Sequence, residues 1–130
     1  MYPLVARRAA YRCEYCHAPE APSAYAFEVE HILPRVQGGS DTPENLALSC
    51  RACNLAKHIR TTAVDPVTRR SAPLFNPRLH EWDEHFRWSA SYVSIFGRTD
   101  VGRATATALR FNARRRQIAR ALWRELGLIP

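Results

Sequence analysis

The chain has 130 residues, 46% of them hydrophobic and 24% charged, with 19 basic against 12 acidic side chains and a formal net charge of +7. That length suits one domain, or one small domain with an appended helical tail, and the composition is that of an ordinary soluble globular protein. No stretch approaches the roughly 20 apolar residues of a membrane span, and "MYPLVARRAAYRC" turns basic before any signal-like apolar run develops, so a cytoplasmic protein is expected.

The first chemistry-bearing feature along the chain is a pair of cysteines, Cys13 and Cys16 in "CEYC", matched later by Cys50 and Cys53 in "CRAC". Two C-x-x-C turns separated by a medium loop suit a tetrahedral four-thiolate zinc site. Two disulfides are the alternative, and they fit a reducing compartment poorly. A four-thiolate ion is closed to substrate and water, so this zinc is structural and any catalysis needs another centre. His17 reads as an outer neighbour of that site.

Between the knuckles, "AYAFEVE" alternates apolar and polar residues and predicts a half-buried strand from Ala24 to Glu30, with Tyr25, Phe27 and Val29 on one side. "LPRVQGGSDTPEN" has the Pro and Gly content of a long ordered loop, and "LALSC" is a short apolar run returning to the second knuckle. A helix is expected from Cys50 or Arg51 through "RACNLAKHIR". On this strand, loop, strand and helix the polar residues able to converge are Glu30, His31, Asn45, Asn54 and His58. Adjacent strand residues face opposite ways, so Glu30 and His31 share a site only at the strand end. Asn54 and His58 are four apart and share a helical face.

The ordered set of a C-x-x-C knuckle followed by "EVEHILPRVQGGSDTPENLALSCRACNLAKH" resembles the HNH endonuclease family over about residues 13 to 58. Residues 59 to 130 are also similar to the C-terminal part of small stand-alone bacterial HNH proteins, in "PLFNPRLHEWDEHFRW" and "GRTDVGRATATALRFN". The resemblance implies an α+β protein with a ββα-metal core over residues 1–62 and a connector with a helical, basic extension packed on it over 63–130. It implies a DNA endonuclease or nickase in which His31 is the general base, Glu30 and Asn54 hold a catalytic divalent ion, and Asn45 orders the loop. The acid is Glu30 where the family more often has Asp, and the third motif position is Asn54 where the name implies His. Both variants are chemically competent.

For phosphodiester hydrolysis a neutral imidazole serves as base at physiological pH. A carboxylate and an amide oxygen suit Mg²⁺ or Mn²⁺. His58 is either a further nitrogen ligand or a cation at the helix end. Arg35, Arg51 and Lys57 are placed to hold flanking phosphates. "HEWDEH" is not a zincin site, because His80 and His85 are five apart rather than four. Its aromatics, Trp82, Phe86 and Trp88, read as packing residues.

Lys57 is the only lysine, so the basic excess is arginine. Genomic base composition accounts for abundant arginine but not for its clustering in "RFNARRRQIARALWRE", which suits a polyanionic partner, with a self-stabilised solvated helix face as the alternative. A helix is expected from about Thr105 to Leu126, with Leu109, Ile118, Leu122, Trp123 and Leu126 on its core face and Gly127 as cap. Its other face carries Arg114, Arg116, Arg120 and Arg124; a basic amphipathic helix can lie on a membrane, but the core signals upstream favour docking on the domain with these arginines turned to DNA phosphates, and no membrane partner is expected. The expected partner is double-stranded DNA, met as a monomer or homodimer. A zinc-stabilised module that binds nucleic acid without cutting it is the second functional expectation.

Overall fold

The computed structural model describes residues 1–129. They form short helices and small antiparallel strands in two compact units, one made of Met1–Thr61 with Asn76–His80, the other of Thr62–Phe75 with the residues from Glu81 onward. No helix among the described residues is long and apolar enough to cross a membrane.

The first unit opens with α1 (Tyr2–Arg8), which sequence reasoning did not assign. Proline in its first turn costs no hydrogen bond and presets the helical φ, and the spacing of Tyr2, Val5, Ala6 and Ala9 builds one apolar face. That face covers an antiparallel hairpin of β1 (Glu28–His31) and β2 (Leu46–Ser49), paired from Glu28 opposite Ser49 to His31 opposite Leu46. Val5, Ala6, Leu46 and Leu48 make the core, with Phe27 and Val29 packed against it. Then α2 (Arg51–Lys57) follows β2 directly.

The expected strand from Ala24 is shorter than its pattern, since pairing begins only at Glu28 and Tyr25 is 81% exposed. Alternation reports one buried face, but here the other side of β1 is covered as well, and Glu30 is its most buried residue. Between the two strands the chain makes 3₁₀ turns at Arg35–Gln37 and Pro43–Asn45. Gly38 takes a left-handed conformation at φ 90°, which glycine adopts without a Cβ penalty. Gly39 runs against the chain so closely that a Cβ would lie 1.7 Å from the Leu33 carbonyl oxygen.

The second unit holds two further hairpins, β3 (Thr62–Val64) with β4 (Ser71–Pro73), and β5 (Phe86–Trp88) with β6 (Ile95–Gly97), the one-turn α3 (Trp82–His85) leading into β5. Packed among them is α4 (Asp100–Ala108), capped by the Thr99 hydroxyl on the Gly102 amide. Phe75, Phe86 and Phe111 meet ring to ring at 5.3–5.5 Å between centroids.

The continuous tail helix expected from Thr105 is two helices. The chain breaks after Ala108, with Arg110 at φ 56°, and resumes as α5 (Arg114–Glu125). The expected division of faces on α5 is also reversed in part. Arg120 is 2% exposed and donates to the Phe111 and Val93 carbonyls, while Ile118, Leu122 and Leu126 are open to solvent. Five planar donors on one guanidinium satisfy carbonyls left bare by the break before α5, and the apolar positions turn outward as a result.

Candidate active site and metal centre

The two knuckles meet. In the first, the Cys13 amide donates to the Ala18 carbonyl and the His17 amide to the Cys13 carbonyl, with His17 at φ 62° to close the turn. In the second, Cys50 caps α2, its sulfur accepting the Cys53 amide at 3.4 Å. All four sulfurs are buried and lie within 4.8 Å of one another. The Cys16–Cys50 separation is 3.7 Å, far from a disulfide's roughly 2.05 Å. A tetrahedron with zinc–sulfur bonds of about 2.3 Å has edges of roughly 3.8 Å. Burial pushes the Cys13 and Cys53 thiols well above their ordinary range, so four thiolates need a cation among them. The cluster fits structural zinc.

One turn of α2 beyond Cys53, a second group of side chains converges. Glu30, His31, Asn54 and His58 line a cleft of about 270 Å³ together with Pro34, Arg35 and the apolar residues around them. The strand end brings Glu30 and His31 there, and the four-residue spacing on α2 brings Asn54 and His58.

Glu30 is 5% exposed. One carboxylate oxygen accepts the buried Tyr15 hydroxyl at 2.7 Å, and the other lies 2.5 Å from the Lys57 ammonium. Among the described residues that second oxygen meets the Lys57 ammonium as an ion pair and no other donor. Burial pushes the Glu30 carboxyl up, while Lys57, Tyr15 and His31 pull it back towards the anion. Lys57, expected at the phosphates, is 2% exposed and also donates to the Ile32 and His31 carbonyls. An ammonium with three inward acceptors has no proton left to offer a phosphate.

Neighbouring Asn54 donates its amide to Glu28, a carboxylate two residues before Glu30 on the same strand side. Arg51 stands 3.9 Å from Glu28 and is largely exposed. His58 ends α2 at φ 52° and is exposed. A carboxylate, an amide and two imidazoles line this cleft, but among the described residues only the four cysteines bring their ligand atoms close enough together to hold an ion.

Asn45 spans the loop. Its amide nitrogen donates to the Leu33 and Ser40 carbonyls, and its oxygen accepts the Leu33 amide, all at 2.9 Å. His31 meets a residue that sequence reasoning passed over, as its Nε2 is 2.7 Å from Asp41, which also accepts Arg35 Nε at 2.7 Å. These two contacts, Arg35 first, hold the Asp41 carboxyl below the usual carboxylate range. Tyr15 and Glu28 were likewise not singled out. Nothing periodic marks any of the three, and only the carboxylate in "GGSD", ten residues from His31, hints at a partner.

Of the remaining expected phosphate contacts, Arg114 is exposed on α5. Arg116 is turned back on the Leu109 and Arg110 carbonyls, and Arg120 is buried as described. Both arginines answer backbone carbonyls near the break, and this takes them away from solvent.

No curated protein and no solved structure matches the chain. Both knuckles and the residues lining the cleft fall within residues 13–60, which match the family model described as HNH endonuclease.

Proposed function

We propose that the protein is a metal-dependent DNA endonuclease or nickase working in the reducing interior of the cell, on a zinc-stapled ββα-metal core. The observation that carries this reading is the single cleft lined by Glu30, His31, Asn54 and His58, inside residues matched to a nuclease family.

In this reading His31 takes the proton of the attacking water. Asn45 holds the loop that carries the base, and Arg35 and Arg51 meet phosphates flanking the scissile bond. A divalent ion such as Mg²⁺ or Mn²⁺, held by Glu30 and Asn54 with His58 as a further ligand, would supply Lewis-acid stabilisation of the charge developing on phosphorus and the leaving 3′ oxygen. Glu30 reaches that role by releasing Lys57, whose ammonium is the counter-charge it has in the structure.

The same ion pair favours a second reading, a nucleic-acid-binding module in which Lys57 permanently neutralises Glu30 and no bond is cut. One experiment separates them. Supercoiled plasmid is incubated with Mg²⁺ or Mn²⁺ and either the wild-type protein or His31→Ala, at equal zinc content. The nuclease reading expects nicked or linear DNA from the wild type and at least a 100-fold slower reaction from the variant. Salt-sensitive binding by both without cleavage would hand the function to the binding module.

A further inference from the structure

We infer that Asp41 is a positioning residue for His31: it accepts the Nε2 proton of the imidazole and so leaves Nδ1 as the nitrogen that faces the reaction. The inference rests on the nuclease reading for its purpose, but on geometry alone for its content.

An imidazole acts as a base only through its unprotonated nitrogen, and the hydrogen bond made by the other nitrogen decides which one that is. The 2.7 Å contact between His31 Nε2 and Asp41 Oδ1 assigns the proton to Nε2, since an ionised carboxylate only accepts. Arg35 Nε donates to the same oxygen at 2.7 Å, so the carboxylate stays ionised and its side chain is held from a second direction.

The backbone around Asp41 is fixed as well. Asn45 holds the Ser40 carbonyl immediately before it, and the Ser40 and Thr42 hydroxyls meet at 2.8 Å across it. The close passage of Gly39 against Leu33 completes a loop whose shape sets the position of the carboxylate. A base oriented by a third group is the general arrangement of an activated catalytic pair. Here one loop supplies the group that turns the ring and the asparagine that holds the loop. Arg35 thereby acquires a second task, steadying Asp41, beside its place at the cleft.

The test uses the full chain with ¹⁵N-labelled histidine, in wild-type, Asp41→Ala and Asp41→Asn forms, with zinc content and the amide spectrum as folding controls. The wild type is expected to show His31 as the Nε2–H tautomer with a hydrogen-bonded imidazole proton signal. Asp41→Ala is expected to lose that signal, and Asp41→Asn, which keeps an acceptor oxygen but no charge, to retain it weakened. On plasmid DNA, kcat is expected to fall about 10- to 100-fold in Asp41→Ala with KM nearly unchanged. An identical His31 signal in wild type and Asp41→Ala overturns the inference even in a protein that cuts DNA. Loss of the signal in Asp41→Ala supports it even if the wild type cuts nothing, in which case the nuclease reading alone is lost.

Discussion

Lys57 directs all its donors inward, to Glu30 and to the carbonyls at the end of β1. Removing one partner of a buried pair strands the other charge, which generally costs about 3–5 kcal/mol. Lys57→Met is therefore expected to lower stability by that much in urea unfolding followed by circular dichroism, with Glu30→Gln added to it restoring a large part. A loss under about 1 kcal/mol would mean that the pair behaves as an exposed one. This residue also shows where sequence reasoning reaches and where it stops. The four cysteines were legible because a knuckle is a local object whose spacing is set by one ion. Lysine in "NLAKH" has the look of a surface cation, and nothing local says that a carboxylate 27 residues earlier turns towards it. Asp41 was missed for the same reason, because its partnership with His31 exists only once the loop has folded.

At the level of elements, the β3–β4 hairpin turns around Asp65, a fully buried carboxylate. It accepts the Val67 amide and the Thr68 hydroxyl at 3.0 Å, and Arg103 of α4 binds both its oxygens at 3.0 and 2.9 Å. Arg103, the largest influence, holds the Asp65 carboxyl far below the ordinary range. A depressed folded-state pKa gives stability that is complete above the unfolded value of about 3.9 and is lost as pH falls through the folded one. Asp65→Asn is thus expected to unfold at lower urea than wild type at neutral pH, the gap closing as pH drops below about 4. Tryptophan fluorescence reads this unit alone, since Trp82, Trp88 and Trp123 all belong to it. A gap constant with pH would remove the ionised pair from the account. Elements were legible where one interaction dominates, as in α2, which starts at the second knuckle as expected. The tail was not, because its apolar spacing continues through the break and the hydrogen-bond needs of that break, answered by Arg116 and Arg120, outweighed burial of Ile118 and Leu122.

For the whole molecule, charge is unevenly divided. The second unit holds 11 arginines against six carboxylates, while the first holds eight basic and six acidic side chains. Several of those arginines are committed to carbonyls or to Asp65, so fewer guanidinium donors are available to a partner than the arginine count implies. Arg114 and Arg115 are exposed at the start of α5. Each phosphate contact contributes about 0.9 to the slope of log affinity against log salt on duplex DNA. Replacing both with Ala is expected to weaken binding and reduce that slope by up to about 1.8, measured by fluorescence anisotropy across a salt series. An unchanged slope would exclude α5 from the proposed DNA contacts.

Asn76–His80 comes after β4 in the chain yet belongs to the first unit. There Arg78 pairs with Glu14, the residue beside Cys13, whose carboxylate also accepts the Leu48 amide. A transplant of residues 13–60 into a foreign host protein would therefore carry the zinc ligands and the cleft but leave Glu14 without its counter-ion at the base of the first knuckle. The portable unit is discontinuous, and a graft that is meant to stay folded has to bring Arg78 with it or replace Glu14 by a neutral acceptor such as Gln.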